Sequence, residues 1–180
     1  APWGENESGY FAIMDLSNNK KIIPKIILEE NTWGEETCLR KDDDEYGPHG
    51  IDLVERNDGR YQIGVISHHP KESVEMFELK KNDLSWEIIW RGCINVPDKF
   101  YFNDLSLKKD GSFYASHMYK RDITMNEWFM IALLKNNSGN IVLWENSNFT
   151  EIEGSEGSSP NGLVLDEESN SLYVSYNLDD

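Results

Sequence analysis

Three polar side chains stand at matching places along the sequence. His49 lies in GPHGIDL, Asn103 in FNDLSL and Asn161 in PNGLVL, each just before or within a short run of strand-forming residues. An imidazole exchanges a proton near neutral pH, and a carboxamide offers a carbonyl oxygen to a ligand or a hard cation. Asp104 adds a carboxylate beside Asn103. Taken singly, each has a plainer reading: a turn histidine bonded to nearby backbone, or an asparagine shaping a turn. Chemistry requires that the fold bring them together.

The elements that must position them read as hairpins. HGIDLVERNDGRYQIGVIS from His49, FNDLSLKKDGSFYASHM from Phe102 and PNGLVLDEESNSLYVSYN from Pro160 each give a strand, a turn and a strand, turning at Asp58-Gly59, Asp110-Gly111 and Ser169-Asn170. A second hairpin type, bulky on both strands, alternates with them: YFAIMDLSNNKKIIPKII, VEMFELKKNDLSWEIIW and WFMIALLKNNSGNIVLW. His49 to Asn103 is 54 residues, Asn103 to Asn161 is 58, Leu16 to Leu79 is 63 and Leu79 to Leu134 is 55. A repeat of about 57 residues holding four strands predicts an all-β chain, a β-propeller of four-stranded blades. Residues 1–180 then form one unit of about three blades. No sustained apolar stripe of helical period competes with this reading. A β-sandwich also tolerates regular hairpins, but does not require two types in alternation. In a propeller the inner strands line a central channel, so His49, Asn103 and Asn161 would meet at one end of it.

The composition sets outer limits. A formal charge of −16 argues against nucleic acid and anionic membranes as partners and suits cations, calcium among them. No apolar run reaches the ~18 to 20 residues of a membrane span. Cys38 and Cys93 are 55 residues apart without a CxxC partner, which leaves one disulfide or two buried thiols. The sequons at Asn6, Asn136 and Asn148 match chance in so Asn- and Ser-rich a chain, and the compartment stays open.

From about Gly9 onward the chain resembles the middle half of a paraoxonase-type calcium-dependent lactonase or arylesterase, within the gluconolactonase and strictosidine-synthase-like six-bladed propellers. GPHGIDL resembles that family's Pro-His-Gly-Ile stretch, VISHHPKESVEMFEL its Asn-His-Pro segment, and FNDLSLKKDGSFYASH its Asn-Asp-Ile segment. PNGLVLDEESNSLYVS is similar to an Asn-Gly-Ile segment shared more widely. The resemblance implies a general-base role for His49 and an assisting role for His69, with Asn103 and Asn161 as calcium ligands and Asp104 the nearest candidate carboxylate. His68 replaces His69 if the hairpin shifts by one residue, since strand side chains alternate. An acidic pair and an Asn-Ile-Ser-Val-Asp stretch that supply further calcium ligands in the family have no match here.

The implied activity is hydrolysis of a lactone or carboxylic ester, calcium polarising the carbonyl and histidine activating water. The alternative is a non-catalytic propeller that binds another molecule and keeps at most a structural calcium. Three blades are half of the six that close the family's ring, so a homodimer is expected to complete it, or else a missing second half-chain. His117 in YASHM reads as a strand-end residue that can line the pocket, and the run Lys41 to Glu45 as a solvated acidic loop. Trp86, Trp90, Trp128 and Trp144 fall on the second hairpin type, where packing explains them.

Overall fold

Alternating burial along the strands sets the architecture: β4 (Pro48–Glu55) switches from half-buried to exposed at every residue, the period-two signature of a sheet with one covered face. The structure, a computed structural model, describes residues 8–41, 43–81 and 86–179. The Asn6 sequon, Asp42 of the acidic run and the hairpin tip 82–85 lie outside the described residues. The fold is all-β and propeller-like. β1 (Ile13–Asp15) and β2 (Lys20–Ile22) form a two-stranded sheet. A five-stranded sheet runs β3 (Ile26–Leu28), β7 (Trp86–Asn95), β6 (Ser73–Lys81), β5 (Tyr61–Ser67), β4. The next holds β8 (Phe102–Leu107), β9 (Phe113–His117), β10 (Asn140–Glu145) and β11 (Asn148–Glu151) in order. β12 (Pro160–Asp166) and β13 (Ser171–Tyr176) make the last.

The three inner hairpins expected from sequence are β4–β5, β8–β9 and β12–β13, all antiparallel. Their turns use the residues that tolerate left-handed backbone: Gly59 at φ 79°, Gly111 at φ 94° and Asn170 at φ 50°. The leading strands of the three sheets lie side by side, joined by side chains rather than by a ladder. Asp52 accepts the Leu107 N–H at 2.7 Å, Ser106 the Leu165 N–H at 3.1 Å and Asp104 the Leu163 N–H at 2.9 Å. Gly50 permits this approach, since a Cβ there would lie 2.5 Å from the Asn103 carbonyl oxygen. Between the first two large sheets, Ile66, Val74, Met76, Phe102, Leu105, Phe113 and Val142 form a buried core, each such side chain contributing about 1.5–3 kcal/mol.

Two elements differ from expectation. The first half of WFMIALLKNNSGNIVLW is a helix, α1 (Met125–Leu134), and not a strand. Thr124 and Glu127 form a reciprocal capping box, and Met, Ala and Leu are good helix formers. None of its residues is fully buried, though Trp128 and Ile131 pack half-buried against Tyr101, Met118, Tyr119 and Ile123, and because WFMIALL is apolar all round no single stripe marks the helix in the sequence. β3 also leaves its expected hairpin and pairs in parallel with β7, Ile26 opposite Ile88.

The cysteines are joined as a Cys38–Cys93 disulfide. It fixes residues 29–41 and 43–47 over the outer face of the first large sheet, where Tyr46, Val65, Phe77, Ile88 and Trp90 pack together. Beside it, Arg40 reaches Glu75 at 2.6 Å with side chains 1% and 0% exposed. Glu75 also accepts from Ser73 Oγ at 2.5 Å and Trp90 Nε1 at 2.8 Å. Breaking such a buried pair leaves an uncompensated charge. Arg40→Met should therefore cost about 3–5 kcal/mol, read as a lower midpoint in urea unfolding; an unchanged midpoint contradicts the role given to Arg40.

Candidate active site

The site forms where β4 begins and β5 ends. Pro48 pairs with Ser67, and beyond Ser67 the chain leaves the strand. The Gly47 carbonyl accepts the His68 N–H at 3.0 Å, and Ser67 Oγ accepts the Gly47 N–H at 3.1 Å while donating to the His69 carbonyl at 2.9 Å. These bonds fold the corner over the mouth of β4. The imidazole brought to His49 is that of His68: His68 Nε2 and His49 Nδ1 are 3.2 Å apart.

His69, expected in that place, instead presents its backbone carbonyl to Ser67 and to Arg40. Strand alternation no longer indexes side chains once the strand has ended, which is why the one-residue choice was not readable from the pattern. The far side of the His68 ring is also engaged. Its Nδ1 is 2.8 Å from Glu72 Oε2, and the ring stacks on Tyr101 with centroids 4.6 Å apart at 10°. Tyr101 in turn stacks on Tyr119. Glu72, Tyr101 and Tyr119 were not picked out from sequence, although Glu72 stands four residues after His68 and Tyr101 two before Asn103.

The other predicted residues gather at the same end of the leading strands. Gly50, next to His49, lies against Asn103 and Asp104. Ser116 Oγ accepts the Asp104 N–H at 3.0 Å and donates to the Asn161 carbonyl at 2.5 Å, so one hydroxyl ties the mouths of β8 and β12. The Asn103 amide nitrogen faces Met118 Sδ at 3.9 Å. His117 closes the end of β9; its Nδ1 accepts the Tyr101 N–H at 3.1 Å, and with Tyr119, Ile123, Met130 and Ile131 it lines a cleft of about 580 Å³ under α1.

The electrostatics favour the neutral imidazole at His49. Burial, then the nearby His68, holds the His49 imidazolium below its ordinary range, with Asp104 and Glu72 opposing the shift. Burial raises the Tyr101 phenol, and Glu72 adds to the effect, so Tyr101 stays protonated. As a calcium site, the three residues Asn103, Asn161 and Asp104 fit by donor type, all hard oxygens with one carboxylate. They are too few for the 6–8 oxygens calcium takes, and among the described residues no group of three or more His, Cys, Asp or Glu is placed to hold a metal. A calcium held there would need water, substrate or further side chains to complete its shell.

In the acidic run, Asp44 caps the Lys41 N–H in an exposed turn. Trp90 and Trp144 are taken up in packing, the latter stacked on Phe113. A family model described as Arylesterase matches residues 3–180. A search of curated proteins gives no match.

His117 yields a pH prediction. Burial lowers its folded-state pKa, and the Tyr101 N–H occupying Nδ1 further disfavours the imidazolium. The unfolded chain takes up that proton near pH ~6.5 while the folded chain resists it, so stability present above that pH is lost as pH falls below it. The urea midpoint should drop between pH 7.5 and pH 5.5, and His117→Gln should shrink the drop; an equal drop in the variant contradicts the assignment.

Proposed function

We propose, on the premise that the chain belongs to the arylesterase family of ester hydrolases, that it hydrolyses lactones or aryl esters of carboxylic acids, with His49 as general base and His68 as its partner. The observation that carries the proposal is the His49–His68 contact beside the mouths that hold Asn103, Asp104 and Asn161. Those three residues would hold calcium, which when bound polarises the ester carbonyl and stabilises the oxyanion.

With Nδ1 turned to His68, the nitrogen of His49 left for water is Nε2. It takes a proton as the hydroxyl oxygen adds to the carbonyl carbon. The ester C–O bond then breaks, and the departing alkoxide or phenoxide recovers the proton from Nε2. The exposed edge of His49 leaves room for that water. The Tyr101 ring over His68 keeps the second imidazole from turning away.

Phenyl acetate and an aliphatic lactone are the substrates to try. Turnover should stop on calcium chelation, and His49→Gln should lower kcat by about 10²–10⁴ without changing the unfolding midpoint. Calcium-dependent stability without turnover would favour a non-catalytic binding propeller instead.

We also propose a homodimer. Ile51 and Leu53 of β4 and Val164 and Tyr173 of β12 and β13 are exposed, and β1–β2 and β12–β13 have two strands where β8–β11 has four. A second copy would cover these faces and complete both short sheets. Sedimentation at micromolar concentration should give twice 20.8 kDa, and a monomer at that concentration overturns the dimer.

A further inference from the structure

We propose that Glu72 is a positioning residue for this reaction, setting which nitrogen of each imidazole carries the proton; the proposal rests on the reading of His49 as the base. The geometry is a continuous chain: Glu72 Oε2 to His68 Nδ1 at 2.8 Å, then His68 Nε2 to His49 Nδ1 at 3.2 Å. An ionised carboxylate only accepts hydrogen bonds, so His68 must carry its hydrogen on Nδ1. That leaves Nε2 of His68 as an acceptor, which obliges His49 to carry its hydrogen on Nδ1. The lone pair of His49 is thereby fixed on Nε2, the nitrogen assigned to water. Two imidazoles alone admit several tautomer combinations. The carboxylate selects the one with a free base at the open end.

Glu72 is held in place for this task. Its side chain is 6% exposed and that of His68 10%, and the Glu72 carbonyl accepts the Val96 N–H at 3.2 Å. Tyr101 covers the His68 ring. The same carboxylate is available to balance the imidazolium formed on His49 during water attack. Among charged and titratable groups, His68 faces Glu72, His49 and Tyr101, while Asp104 also acts on His49. Glu72 touches neither water nor substrate and acts on His49 through the His68 hydrogen bond and by its charge, so its removal should act on kcat and leave KM unchanged.

The experiment compares Glu72→Met, which removes the acceptor, with Glu72→Gln, which keeps an acceptor oxygen but no charge. Nitrogen-15 NMR of the imidazoles at pH 8 reports the tautomers directly. In the unmodified protein both His68 and His49 should carry hydrogen on Nδ1. In Glu72→Met a substantial Nε2–H population should appear at His68, with kcat down by about 10² or more and KM unchanged; Glu72→Gln should fall between. A role confined to stability would lower the unfolding midpoint without moving the tautomer signals. Unchanged His68 tautomer or wild-type kcat in a folded Glu72→Met protein overturns the proposal, and Glu72→Gln serves the same test if Glu72→Met does not fold. If no ester is hydrolysed by the unmodified protein, the proposed function fails, while a tautomer shift in Glu72→Met still supports the hold of Glu72 on the pair.

Discussion

The structure depends on how the leading strands of neighbouring sheets are joined without a ladder. A sheet edge carries backbone donors that need partners. Here the Leu107, Leu163 and Leu165 N–H groups at those edges are taken by Asp52, Asp104 and Ser106 from the strand alongside. Asp52 and Ser106 occupy equivalent positions, each bonding to the equivalent leucine of the next sheet, so the joint repeats with the fold. Because these bonds are short and directional, they fix the relative height of the strands. That height is what places the mouths of β4, β8 and β12 at one level.

Once the mouths are level, the site follows from local devices. Gly50 lets β4 approach Asn103 and Asp104, Ser116 spans from Asp104 to Asn161, and the corner after β5 carries His68 to His49. Asp104 serves both purposes, with one carboxylate oxygen committed to the joint. The frame and the proposed chemistry therefore share a residue and are not separable by mutation there.

Much of this was legible in the sequence, for identifiable reasons. Turn residues at fixed offsets announced the three inner hairpins, and their spacing aligned His49, Asn103 and Asn161 at one end. What could not be read lies where periodicity stops carrying information. His68 and His69 sit past the end of β5, where alternation no longer tells which ring points inward. The helix α1 is apolar nearly all round from Trp128 to Leu134 and so shows no single stripe, with Trp128 and Ile131 packed half-buried against Tyr101, Met118, Tyr119 and Ile123, although the Thr124 and Glu127 pair was present as a start signal. The parallel pairing of β3 with β7 is a long-range contact with no local signature. The disulfide was one of two open alternatives in the sequence, because only the folding of residues 29–38 along β7 brings Cys38 to Cys93.

The placement of α1 has one more implication. β9 and β10 stay paired from His117 and Asn140 onward, so the helix belongs to an excursion that leaves and re-enters the sheet at adjacent points. Met130 and Ile131 of that excursion form one wall of the cleft whose other wall includes His117 at the sheet's rim. The shape of that recess is therefore set largely by one segment carried between two paired strands, and Tyr119 of the same segment, stacked on Tyr101, couples it to the ring of His68.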